Sequence, residues 1–214
     1  MNLRLFKLLY QNWMRGAPPI APYKHIVQIG DPVLRQTAKD VDPTKLNDSF
    51  VQQLFSRLYV LMKKSDAAGI AAPQIGVSLR VFAIQFPAKK EYHSPVLYDQ
   101  REMEPIPLQV WVNPIMKVLD YEKIVFEECC QSMKGYTANI PRYKKILLTG
   151  LDHNGKEKSW EAKGWTARII QHEMDHLDGK FFTDIMDPKS LACTIWDVVN
   201  RNEGRIYTTY MVNK

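Results

Sequence analysis

Between Trp165 and Leu177 the chain reads His172-Glu173-Met174-Asp175-His176, two histidines four residues apart with a glutamate directly after the first. Ala167, Ile170, Met174 and Leu177 recur at helical spacing over the same stretch, and Gly179 follows as a stop signal. A spacing of four puts both imidazoles on one helix face, where they can grip a single metal ion, and Glu173 stands beside them with a carboxylate able to carry a proton. This helix constrains the fold, because its apolar stripe has to be buried by other elements. The bland alternative is a wet helix face with two ordinary histidines, and H-E-x-x-H alone does not separate the two.

The 214 residues, 45% of them hydrophobic, suffice for one substantial core. No run approaches the roughly 20 apolar residues of a membrane span. Phe50, Leu54, Leu58 and Leu61 predict a helix over 47–64, with Gln52, Gln53 and Arg57 on its wet side. β-Branched and aromatic residues predict strands over 81–86, 109–112, 121–126 and 145–151, and Asp152 to Gly155 punctuates a hairpin leading to 158–162. The proline- and charge-rich stretch 87–107 has no period and reads as a long surface loop. Asp187 and Pro188 supply an N-cap and first-turn residue for a helix through Val199. There is no internal repeat. Strands around a central helix, with helices before and after, give an α+β class.

The formal net charge of +6 is uneven: Arg4, Lys7, Arg15 and Lys24 precede the first acid, Asp31, and subtracting these four leaves +2 for the rest. No basic, aromatic-rich face stands out, so specific nucleic-acid binding is not expected. Leu3, Phe6, Leu8, Leu9 and Trp13 gather on one side of a short helix among those cations, which reads as a mitochondrial targeting leader over 1–23, ending in the helix-hostile Ala17, Pro18, Pro19 and Pro22. The alternative is an untargeted tail. The body is expected over 24–200, with a C-terminal extension over 201–214. Cys129, Cys130 and Cys193 are an odd set with two adjacent, unlike a secreted disulfide framework, and point to a reducing compartment.

A tetrahedral catalytic site needs a third protein ligand and one open position. Phe182 stands where an H-E-x-x-H-x-x-G-x-x-H protease would place its histidine, and Glu203, the only glutamate after the motif, lies in a polar segment near the end. Upstream, Glu128-Cys129-Cys130-Gln131-Ser132 follows a strand, and Cys130 can supply a thiolate.

Three ordered segments resemble the signature motifs of peptide deformylases: Gly69 to Gln74 is similar to G-φ-A-A-x-Q, Glu128 to Ser132 to E-G-C-x-S, and His172 to His176 to H-E-x-x-H. Gly30-Asp31-Pro32-Val33-Leu34-Arg35 resembles the family's N-terminal segment, so the likeness runs from about Ile26 to Asp187. Trp165 to His176, and Met103-Glu104-Pro105, are similar to the mitochondrial branch. The resemblance implies a deformylase-like α+β fold, with antiparallel sheets around a central metal-binding helix. It implies Cys130, His172 and His176 as ligands of one divalent ion, Fe²⁺ in the family, with Zn²⁺, Ni²⁺ or Co²⁺ also compatible with the set. Glu173 becomes the general acid/base. Gln74 and the backbone N–H of Gln131 face the developing oxyanion, Gly69 and Ile70 offer backbone groups to substrate, and Ile169 helps line an apolar methionine pocket. The implied reaction removes the formyl group from formyl-methionyl nascent chains in the mitochondrial matrix, with ribosome contact as an associated expectation and no oligomeric state fixed. A glycine at Gly69 fits a close approach by the substrate backbone, and Glu128 is expected to orient the ligand loop through Arg142.

Cys129 departs from the family by replacing the glycine of E-G-C, and Gln131 replaces a leucine common in bacterial members. A side chain at Cys129 motivates a second reading, a weak or silent deformylase-like protein that binds nascent chains or another mitochondrial partner. Retention of all three ligands, Glu173 and Gln74 argues for the enzyme.

Overall fold

The computed structural model describes residues 19–206. Residues 1–18 of the expected leader and 207–214 of the expected C-terminal extension lie outside them.

Helix α1 runs over Ser49–Ser65 and buries Val51, Leu54, Phe55, Leu58, Leu61 and Met62, an i, i+3, i+4, i+7 stripe. Phe50, expected on that stripe, is 44% exposed, because the first-turn position falls off the face that Val51 and Leu54 define. The helix stops at Asp66, whose left-handed backbone lets its N–H donate to the Met62 carbonyl.

Among the described residues six strands form one antiparallel sheet: β1 (Gly69–Ala71), β2 (Val81–Phe86), β3 (Ile106–Cys129), β4 (Tyr136–Leu151) and β5 (Glu157–Lys163) are neighbours in sequence order, and β6 (Ala192–Cys193) pairs with β4. The expected strands 109–112 and 121–126 are parts of the single 24-residue β3. Shifts in its register with β4 between Val112 and Ile115, and between Val118 and Lys123, bend it in the middle, where the sequence pattern breaks.

The stretch 87–107 is not one surface loop. It contains a 3-10 turn at Lys89–Glu91 and helix α2 (Pro95–Gln100), capped by the Ser94 hydroxyl. Tyr98 and Met103 are buried, and the Tyr98 hydroxyl donates to the Pro87 carbonyl at 3.0 Å. Two buried anchors in a polar stretch leave no periodic trace. The helix expected from Asp187 to Val199 is also broken up. Asp187 does cap a turn, Pro188–Ser190, but the chain then pairs as β6 with Tyr136 and Thr137, and only Trp196–Arg201 is helical, as α4. Pairing with the end of β4 satisfies backbone groups that a continuous helix would leave uncovered there.

Helix α3 (Gly164–Leu177) lies at the centre of the fold. Ala167, Ile170, Met174 and Leu177 pack into one core with Phe82, Ile84, Trp111, Ile146 and Leu148. Each such buried aliphatic or aromatic side chain contributes about 1.5–3 kcal/mol relative to exposure. A second core joins α1 to β1 and β2, and a third gathers Val27, Leu34, Ile140, Phe181 and Phe182 against Cys130. The histidine face of α3 is thereby fixed against the ends of β1 and β3.

Candidate metal centre

Cys130 leaves β3 in extended conformation and caps the 3-10 turn Gln131–Met133, its sulfur accepting from the Ser132 N–H at 3.4 Å. The turn brings the 4%-exposed sulfur to 3.3 Å from His176 Nε2. Cys130, His172 and His176 each present one ligand atom, all within 4.8 Å of one another. Ligand atoms around a tetrahedral ion stand roughly 3.3–3.8 Å apart; the Cys130–His176 pair at 3.3 Å already lies in that range, and one sulfur with two imidazole nitrogens is a donor set that suits a divalent metal.

His172 turns Nδ1 to Glu128 Oε2 at 3.0 Å, which leaves Nε2 for the shared centre. Burial alone would lower its pKa, but hydrogen bonds to the Cys130 sulfur and the Glu128 carboxylate hold it well above the usual value. A metal cation would displace that proton. Burial pushes His176 well below the usual value, so it is neutral and ready to donate a lone pair, and its buried Nδ1 lacks a partner among the described residues. Phe182, at the position where a protease of this motif would carry a histidine, instead lays its ring beside His172, centroids 6.4 Å apart.

Glu128 ties the centre to the fold. It is buried, accepts Arg142 Nε and Nη2 at 3.0 Å each, and accepts Arg168 Nη1 at 2.7 Å. Burial would raise its pKa, but His172 and Arg142 hold the carboxyl well below the usual range. The Arg142 contact matches expectation, whereas Arg168 was missed: it lies one turn before His172, on the same helix face, and that spacing was the available signal. Arg142 also reaches Asp175 at 2.5 Å, so the residue between the histidines is held too.

Gln74 is 2% exposed, although polar. Its Oε1 accepts from the Ala71 N–H at 2.8 Å, and Nε2 points to the Cys130 sulfur at 3.6 Å and the Ser132 hydroxyl at 3.2 Å. Gln131 spends its side chain on the Ser65 carbonyl at 3.1 Å, joining the ligand turn to the end of α1. Ile70 is fully buried in the α1 core, and Ile169 is 7% exposed. Gly69 lies against Glu173, with no room for a Cβ beside that carboxylate. The close neighbour at this glycine is thus a protein carboxylate rather than only a substrate backbone. Burial raises Glu173 to about 7, and its Oε2 has no hydrogen-bond partner among the described residues. A carboxyl poised there can both take and return a proton near neutrality.

These groups open on a cleft of about 530 Å³ bordered by Gly69, Gln74, Cys129, Ile169 and Glu173, and by Leu97 and Arg101 from the α2 segment. That wall leaves no periodic signal in the sequence, where 87–107 reads as a surface loop.

Residues 23–192 match the family described as Polypeptide deformylase. The chain is 43% identical over 184 residues to the human protein "Peptide deformylase, mitochondrial", covering 86% of this chain and 76% of that one. It is 39% identical over 168 residues to "Peptide deformylase 1A, chloroplastic/mitochondrial" of Arabidopsis thaliana, covering 77% of this chain and 62% of that protein. A crystal structure of a class I type b peptide deformylase from Acinetobacter baumannii with Met-Ala-Ser bound superposes with a TM-score of 0.66, at 27% identity, covering 75% of this chain and 96% of that one. In family and in fold, the chain belongs to the polypeptide deformylases.

Proposed function

We propose that this chain hydrolyses the N-formyl group of formyl-methionyl polypeptides in the mitochondrial matrix, with Glu173 as its proton carrier and Cys130, His172 and His176 as the ligands of one divalent metal. The observation that carries the reading is the convergence of a buried thiol, two imidazoles and a carboxyl of raised pKa on one cleft. Cys130, His172 and His176 would hold a divalent ion, which would supply Lewis acidity toward the formyl carbonyl and a water of lowered pKa. Fe²⁺ is the ion we favour, by family resemblance, and Zn²⁺, Ni²⁺ and Co²⁺ suit the same donors.

The chain's own groups divide the remaining work. Glu173 takes a proton from the attacking water and delivers it to the amine nitrogen as the C–N bond breaks, releasing formate and a free N-terminus. Gln74 Nε2 and the Gln131 backbone N–H donate to the oxygen that gains charge, which helps only as that charge develops. The strand edge at Gly69 and Ile70 offers main-chain groups to an extended peptide, and Ile169 contributes an apolar surface for the methionine side chain. Met-Ala-Ser, the tripeptide named with the Acinetobacter structure, is what deformylation of formyl-Met-Ala-Ser would leave.

The matrix assignment rests on the acid-free leader and on the human mitochondrial relative. Residues 1–23 then act as the targeting segment, 24–200 as the catalytic body and 201–214 as an extension, with contact to the mitochondrial ribosome during synthesis. The test is an anaerobic assay of the protein without residues 1–23 on formyl-Met-Ala-Ser, with metal measured in the same sample. Release of formate in proportion to bound metal supports the reading, and metal-loaded protein without turnover refutes it.

A further inference from the structure

The α2 segment brings a cation into the cleft. Arg101 follows α2 and holds its guanidinium carbon 4.9 Å from the Trp165 ring centroid and 5.2 Å from that of Phe126. Arg168 stands over the same two rings, at 5.7 and 5.1 Å. The two arginines share an aromatic support but differ in what else they hold. Arg168 is spent on Glu128 and on the Ile140 and Ile124 carbonyls. Arg101 has no carboxylate within ion-pair distance among the described residues.

The acids near Arg101 in sequence do not pair with it. Asp99 pairs with Lys89 at 2.6 Å, Glu102 packs against Gly164, and Glu104 faces Lys163 at 3.9 Å. Glu127 also borders the cleft, but alternation along β3 sends its side chain to the opposite face from Phe126. The segment itself is anchored by buried Tyr98 and Met103. A guanidinium fixed over two aromatic faces keeps its donor edges free and loses little freedom on meeting an anion.

Position then selects the anion. Trp165 precedes His172 by seven residues on α3, roughly 10 Å along the axis at about 1.5 Å per residue. An extended peptide advances about 3.3 Å per residue, so a formyl group at the metal centre leaves the second or third residue beside Arg101. We infer that Arg101 is a specificity-determining residue that accepts a side-chain carboxylate from the second or third residue of the formyl-methionyl substrate. The inference rests on the deformylase reading and deepens it by naming a substrate preference.

The experiment compares C-terminally amidated formyl-Met-Ala-Ser with versions carrying Asp or Lys at position two or three, on metal-loaded wild type, Arg101→Gln and Arg101→Glu. Wild type is expected to favour the better-placed Asp peptide over the Lys peptide by about fivefold in kcat/KM, through KM, with the gap closing at high salt. Arg101→Gln should erase the preference, and Arg101→Glu should reverse it. The ratio is taken within each protein, so a variant that folds in lower yield still reports. No acid preference in wild type, or one that survives Arg101→Gln, overturns the inference. Wild-type turnover of formyl-Met-Ala-Ser reads the deformylase assignment separately.

Discussion

Gly69 lies directly against the Glu173 carboxylate, so close that a Cβ on Gly69 would collide with it. The contact joins edge strand β1 to the helix that carries His172 and His176 and sets where the proposed proton carrier, Glu173, stands. Replacing Gly69 with Ala must therefore move Glu173, β1 or both. Since about 1 Å of misplacement can cost on the order of 100-fold, Gly69→Ala should lose about that much kcat. Metal content, read by elemental analysis of the same sample, should stay near wild type, because neither ligand histidine is displaced.

Glu173→Gln keeps the shape of the side chain and removes its proton chemistry. It should retain metal and lose roughly 10²- to 10⁴-fold in turnover. Cys130→Ala should lose the metal as well, and chelation should lower the melting temperature of wild type but not of Cys130→Ala. Full activity in Glu173→Gln would remove Glu173 from the proton path.

Arg168→Leu tests the buried support of the centre. Glu128 would keep Arg142 and His172 but lose a 2.7 Å partner in a buried site. Breaking one contact of a buried charge cluster costs about 3–5 kcal/mol, which thermal or urea melts would resolve. Weaker metal retention should accompany it, because the Glu128 carboxylate also orients His172.

Asp184 gives a pH signature away from the centre. Burial would raise its pKa, but the Arg35 guanidinium at 2.5 Å and the Phe181 N–H at 2.8 Å hold it below the usual carboxylate value. A depressed carboxylate binds fewer protons folded than unfolded, so it stabilises above its unfolded pKa and that stability fades as pH falls. The pair is partly exposed, at 46% and 36% of the side chains, which limits Asp184→Asn to about 0.5–1 kcal/mol at pH 7. The gap between variant and wild type in melts should shrink as pH drops below about 4.

The pieces of the site legible in the sequence were those with a fixed local spacing. His172 and His176 needed only a helix, and Cys130 and Gln74 needed the resemblance, because β1, β3 and α3 unite them across long separations that no period records. What escaped was set by tertiary contact. Tyr98 and Met103 fold a stretch that looks like a loop, and through it Arg101 reaches the cleft. β6 interrupts an expected helix because the end of β4 offers pairing. Gly69 was expected to make room for a substrate backbone, whereas the close neighbour in the structure is the Glu173 carboxylate, which no spacing in the sequence records.

Cys129 decides how the departure from E-G-C should be weighed. It pairs with Thr137 as the last residue of β3, is absent from the positive-φ positions, and is exposed at the cleft. An L side chain therefore fits its backbone without strain, and Cys130 reaches the centre regardless. The Cys129 side chain is accordingly accommodated at the open cleft. Cys129→Gly should keep the metal content of wild type and change kcat/KM on formyl-Met-Ala-Ser by less than about tenfold, the scale of a small change in pocket volume. It should also lower stability by about 0.5–1 kcal/mol, because glycine in a strand gives up more chain entropy on folding. A larger rise in turnover at constant metal would mark Cys129 as a brake on the enzyme. Absence of turnover in both proteins at full metal loading would favour the silent, chain-binding alternative.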